Sequence, residues 1–271
     1  MKNASKNEPS ACAGSYLKSN IRYMLYTSKQ YLQNTMEIDA DIAAFFVDRP
    51  VPVDNLYWKD RYLYVAKGTG FLFIPLYFDL MYRAGLSKDT ILQEEFVGLT
   101  EQILHSAAMQ EHEMISFEEH VHNCKTLLQN KAVNVSLFND LMQYFSNRTV
   151  PYQYLGTFST ALNRGDTYLF ALCSLDIPDC LTHKLVEIWY ILIPSFLLMD
   201  DVMDLEEDKR KGEENSILDF GVGSTGVCKA IAYLKDKFDK LKEINPLLGA
   251  YFERSLHRKQ QTPYILSLLN Q

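Results

Sequence analysis

The feature that most limits how this chain can fold is an abrupt change of character at residue 200. From Leu185 to Met199 it reads Leu-Val-Glu-Ile-Trp-Tyr-Ile-Leu-Ile-Pro-Ser-Phe-Leu-Leu-Met. A helix this apolar all round has no face to offer water, so it belongs inside a bundle of other helices. Asp200, Asp201, Asp204 and Asp208 follow at once. At about 100° per residue they fall within about one quadrant of a continued helix. Carboxylates massed on one stripe repel one another, and a half-buried cluster of them persists when cations neutralise it. Magnesium suits such a stripe, because it takes oxygen ligands and commonly bridges a few carboxylates to phosphate oxygens. The plain alternative is a solvated acidic helix end. Against it stand the direct junction with an apolar helix and the confinement of the acids, only Glu206 lying clearly opposite.

The rest of the chain repeats at helical period and shows no strand-like alternation. The period predicts helices over Tyr16 to Leu32, Phe71 to Ala84, Lys88 to Ala108, Phe117 to Gln129, Leu137 to Phe145, Thr157 to Leu175, Thr182 to Asp208, Gly226 to Glu243 and Leu247 to His257. Pro194 is expected to kink the long one, since its ring removes a backbone bond. Turn chemistry fills the gaps, as in Asp48-Arg49-Pro50-Val51-Pro52, Lys67-Gly68-Thr69-Gly70 and Asp176-Ile177-Pro178-Asp179. No stretch reads as an interdomain linker. The expected fold class is all-α: one helical domain over residues 15–271, preceded by a disordered lead over residues 1–14.

Charge and cysteine usage narrow the functional classes. A net charge of −7 argues against a nucleic-acid partner, whose phosphates need an excess of lysine and arginine. A phosphate ligand would then need metal ions. The five cysteines are odd in number and lack CxxC spacing, so neither a disulfide framework nor a zinc ribbon is expected. With a polar N-terminus and no apolar run of about 18 residues, the chain reads as having no signal segment and no membrane span. A cytoplasmic setting is the default. The 17 tyrosines and 15 phenylalanines fit an ordinary core, although such rings can also line a pocket that stabilises a carbocation.

Phe196-Leu-Leu-Met-Asp200-Asp201-Val-Met-Asp204 resembles the second aspartate-rich motif of trans-polyprenyl diphosphate synthases, with Leu197 where that family has Gln. Asp166-Thr167-Tyr168-Leu169-Phe170-Ala171 resembles the family's Lys-Thr-x-x-Leu-Phe segment, with Asp166 in place of its diphosphate-binding lysine. Asp200-Asp201-x-x-Asp204-x-x-x-Asp208-x-x-x-Gly212-Glu213-x-Asn215 is similar to the second metal motif of class I terpene synthases. Both comparisons point to the class I isoprenoid synthase fold, over about residues 160 to 220. The resemblance implies Mg2+ as cofactor, held by Asp200, Asp201, Asp204 and Asp208. It implies an allylic isoprenyl diphosphate (C10 to C20) as substrate, with Lys211, Arg164 and Thr167 at the diphosphate, and it is compatible with a homodimer.

These families also carry a first Asp-rich motif on a facing helix, and this chain has no upstream DDxxD. Leu104 to Met109 resembles the approach to that motif, which puts Gln110-Glu111-His112-Glu113 in its place. On a continuous helix Glu111, Glu118 and His122 would share a face, making Glu111 and Glu118 a weaker first acidic wall. The basic segments that hold a second diphosphate during chain elongation also have no counterpart. The expected reaction is therefore a class I terpene synthase's, ionisation and cyclisation of one allylic diphosphate. Chain elongation with isopentenyl diphosphate and a non-catalytic, degenerate subunit are the alternatives. A ferritin-like di-iron protein would need Glu-x-x-His on two helices, and Glu119-His120-Val121-His122 supplies one copy.

Overall fold

The computed structural model describes residues 27–65, 71–146, 151–212 and 215–270. The disordered lead expected over residues 1–14, most of the Tyr16 to Leu32 helix and the Lys67 to Gly70 turn lie outside these. Every regular element among the described residues is helical, and the only β-type pairing there is an isolated bridge between Tyr152 and Leu155. The α-helices run α1 Lys29–Met36, α2 Ala40–Asp48, α3 Phe73–Arg83, α4 Lys88–Ile91, α5 Glu94–Glu111, α6 Phe117–Leu128 and α7 Val135–Ser146. They continue as α8 Asp179–Leu192, α9 Pro194–Lys211, α10 Gly223–Ile244, α11 Pro246–Gln260 and α12 Pro263–Leu269. Short 3-10 segments at Leu56–Trp58, Ala161–Asn163, Asp166–Ser174 and Ser216–Phe220 join them.

Local chemistry explains most of the boundaries. Ser28, Asp39 and Ser87 accept backbone N–H bonds at the starts of α1, α2 and α4. Ser116 and Glu119 close a reciprocal capping box that begins α6. That box corrects the expected acidic wall: α5 ends at Glu111, Glu113 takes a left-handed φ of 55°, and a new helix starts at Phe117. Glu111 and Glu118 therefore share no helix face. The expected Thr157 to Leu175 helix is also replaced, by two 3-10 segments. Pro194 does more than kink: it occupies the first turn of a separate helix, where its missing N–H costs nothing.

One contiguous hydrophobic core runs through the molecule. Its centre is aromatic, with Tyr168 and Trp189 stacked at 5.2 Å and Phe73 and Tyr77 edge-on to them. On one side of it α5 packs against α6 and the 166–174 segment. On the other, α9 packs against α8, α10, α11 and the 216–220 segment. The α10–α11 hairpin is tight because Gly249 lacks a Cβ, which would stand 2.8 Å from the Phe238 carbonyl oxygen. Asp79 ties the starts of α2 and α11 to this body. Buried on α3, it accepts from Arg83 Nε at 2.7 Å, the Asp39 backbone N–H at 2.8 Å and Asn245 Nδ2 at 3.3 Å.

Candidate functional site

The acidic stripe begins nearly two turns into α9, where the helix leaves the core. Leu198 and Val202 are buried while Asp204 is exposed, and the four aspartates meet four different surroundings. Asp201 is turned inward and 6 % exposed. Its carboxylate accepts from the Ser216 backbone N–H at 2.9 Å and from the Ser216 hydroxyl, with Arg164 on the other oxygen at 3.4 Å. Asp201 thus anchors the 216–220 segment to α9. The helix ends where Gly212 adopts a left-handed φ of 73°. Asn215, the last residue of the stretch quoted from Asp200, folds back over the helix. Its Nδ2 donates to the Asp201 carbonyl and to Asp208 Oδ2, both at 2.8 Å.

Asp200, Asp204 and Asp208 remain, at the i, i+4, i+8 spacing that aligns side chains along one helix face. Asp200 is half-buried, and burial raises its pKa first, with the neighbouring charge of Asp204 adding to the rise. Lys259 and Arg164 counter that rise. Lys259 reaches across from α11, its Nζ donating to the Met199 carbonyl at 2.9 Å. Burial lowers its pKa, and Asp200 and Asp204 push it back up. The face is therefore a carboxylate row flanked by two cations. Lys259 escapes sequence reading because nothing local marks it: it lies 60 residues from Met199 and within an ordinary basic helix end.

The other residues expected at the diphosphate are placed differently. Lys211 is exposed and pairs with Glu207 at 2.7 Å, one turn back on its own helix. Thr167 is 3 % exposed, and its hydroxyl meets His120 Nε2 at 2.9 Å in the core. His120 Nδ1 meets Ser106 Oγ at 2.8 Å, so a buried Ser106–His120–Thr167 chain staples α5, α6 and the 166–174 segment. Burial lowers the His120 pKa to about 4, and the ring is neutral near pH 7. Glu111 and Glu118 are exposed on α5 and α6, and among the described residues neither bonds to the α9 stripe.

Asp166, at the position the resemblance gives to a lysine, is wholly buried. Tyr144 and Tyr190 hydroxyls donate to one of its oxygens at 2.7 and 2.8 Å, and Trp189 Nε1 donates to the other at 3.0 Å. Burial raises its pKa to about 6 against the pull of those three donors. This carboxylate is fully engaged in joining α7, α8 and the 166–174 segment.

The donors on α9 are carboxylate oxygens, which suit magnesium. Among the described residues no three His, Cys, Asp or Glu side chains gather closely enough to enclose a metal ion. An ion on this face would draw on one or two carboxylates and complete its shell with water and phosphate oxygens, as magnesium commonly does. Cys124 and Cys173 are buried, Cys180 and Cys228 exposed, and all four are free thiols. No helix among the described residues is long and apolar enough to cross a membrane. No protein-family model matches the chain, and neither a curated protein nor a solved structure matches it.

Proposed function

We propose that the protein is a class I terpene synthase-like enzyme which ionises and cyclises one allylic isoprenyl diphosphate with Mg2+ on the Asp200–Asp204–Asp208 face. One observation carries this reading: Asp200 is half-buried beside Asp204, a costly arrangement for the protein alone. A cation relieves that repulsion. Bound magnesium would supply charge neutralisation to the departing diphosphate. Asp200 and Asp204 would hold the cation, and Arg164 and Lys259 would carry the positive charge facing the diphosphate oxygens. Asp201 has a positioning role, because its bonds to Ser216 and Arg164 set the wall from which those groups project.

The degenerate-subunit reading draws on a different observation, the exposure of Glu111 and Glu118 on helices that pack away from α9. One assay separates the readings. The protein is incubated with C10, C15 and C20 allylic diphosphates and magnesium, with and without isopentenyl diphosphate, and its products are identified. Magnesium-dependent release of diphosphate with a cyclic hydrocarbon or alcohol is expected, unchanged by isopentenyl diphosphate. Products one isoprene unit longer would establish elongation instead. A folded sample that turns over none of the three substrates would favour the subunit.

A further inference from the structure

α11 carries a concentration of charge opposite in sign to that of α9. Arg254, His257 and Arg258 stand at i, i+3 and i+4 and so share a face. Together with Lys235 of α10 they line a cavity of about 580 Å3, to which Leu256 adds an apolar wall. Glu253 also borders it, but its carboxylate is held by Lys242 at 3.1 Å. The acids of α10 are matched as well, Asp236 with Lys240 at 3.3 Å and Asp239 with Lys242 at 3.0 Å. Among the described residues no carboxylate lies within ion-pair distance of Lys235, Arg254 or Arg258.

Basic residues at a helix C-terminus offset the helix dipole, and that accounts for His257, Arg258 and Lys259 in the last turn of α11. It does not account for Arg254, a turn earlier, or for Lys235, on the neighbouring helix. In a chain of net charge −7, three cations and a histidine around one cavity are a local reversal of the protein's field. The chemistry of the lining selects the ligand. Guanidinium forks match phosphate oxygens two at a time, and two of them on successive turns suit a group with several equivalent oxygens. The volume falls in the range of small-molecule clefts.

We propose that the α10–α11 cavity is a binding site for a phosphate-bearing small molecule, separate from the α9 carboxylates and independent of magnesium. It extends beyond the function proposed above and does not rest on it. Inorganic diphosphate titrated calorimetrically in EDTA removes the metal-dependent attraction of the α9 carboxylates, and the arginine variants separate this cavity from the Arg164 and Lys259 cations of that face. Saturable binding is expected, and Arg254→Glu with Arg258→Glu should weaken it at least about tenfold. Asp200→Asn with Asp204→Asn should leave it unchanged. Both arginines are exposed, so the reversal should fold; Lys235→Gln with Arg254→Gln is the milder second variant, read the same way. Sodium sulfate at equal ionic strength should bind at least about tenfold more weakly. Absence of binding in EDTA, undiminished binding by both cation variants, or loss in the aspartate variant would overturn the proposal. Sulfate binding as tightly as diphosphate would overturn the phosphate assignment.

Discussion

Asp166 and Asp200 are both withdrawn from water, and the protein treats them in opposite ways. Asp166 is sealed in the core, where Tyr144, Tyr190 and Trp189 saturate its oxygens and no cation approaches within the ion-pair contacts of the described residues. Asp200 is half-buried beside a second carboxylate, with the charges of Lys259 and Arg164 acting on it. Buried polar groups that are fully bonded specify structure, while groups left short of partners are available to a ligand. The difference separates the structural carboxylate from the one proposed to meet a ligand. Sequence order alone does not, since both residues lie in segments with the same family resemblance.

The largest effect that sharpens this contrast is loss of turnover without loss of fold. Asp200→Asn with Asp204→Asn should lower magnesium-dependent diphosphate release by on the order of 10³-fold, the rate equivalent of several kcal/mol of charge stabilisation. Thermal unfolding should stay where it is or move upward, because the substitution removes a repulsive pair. Retained turnover, or a collapsed melting transition, would mean that these carboxylates are structural after all.

Asp166→Asn should do the reverse. An amide offers one acceptor oxygen and turns an N–H2 toward groups that are themselves donors, leaving at least one buried donor unpaired. The cost is about 3 kcal/mol or more, which corresponds to a drop of roughly 5–10 °C in Tm for a chain of this size. The acid side has a definite sign. Its pKa is about 6 in the folded state and near 3.8 when exposed, so Asp166 favours the folded protein increasingly as pH falls from about 6 to about 4. The variant should lack that contribution. A melting temperature within a degree or two of the parent would show that the three donors find other partners.

His120 works against Asp166 over the same range. Burial holds its pKa at about 4, below the usual 6.5, so the unfolded chain takes up the proton first. Stability from His120 is complete above about pH 6.5 and falls as pH drops towards 4, by about 3 kcal/mol in all. His120→Gln keeps a polar group at Nε2 without the titration. The parent's stability advantage over this variant should shrink between pH 7 and pH 4 in chemical denaturation. An advantage that is flat with pH would show the ring to be solvated or already charged.

How much of this is legible in the sequence differs between fold and site. The helical period and the apolar run into Asp200 carry the all-α fold, because both are local. The start of α6 at Phe117 is legible, whereas the boundaries missed are the break between α4 and α5 at Leu92–Gln93 and the one between α8 and α9 at Ile193, both inside stretches whose helical period runs on. α2 and α12 escaped because each is short, 9 and 7 residues, and is stabilised chiefly by packing. At the site, the i, i+4, i+8 aspartates can be read from spacing. The inward turn of Asp201 depends on Ser216, and the role of Lys259 on a helix far along the chain. Spacing cannot report on contacts formed by tertiary packing.

The smallest expected effects test which cations belong to the face. Lys259→Met keeps the aliphatic stem that packs against α9 and removes only the charge. One of the two positive groups proposed to face the diphosphate is then lost, and turnover should fall by about tenfold, with the Michaelis constant rising more than the maximal rate drops. The same change removes a group that favours ionised Asp200, so the Asp200 pKa should climb further above the usual carboxylate value. Asp200 acts as a carboxylate, hence the acidic limb of the pH–rate profile should move to higher pH. A purely structural lysine would lower stability and leave that limb in place. Lys211→Ala is the paired control: this lysine is exposed and already matched by Glu207 on its own helix, so neither turnover nor the profile should change. If Lys211→Ala shifts the profile and Lys259→Met does not, the diphosphate lies at the C-terminal end of α9, and the two cations exchange roles.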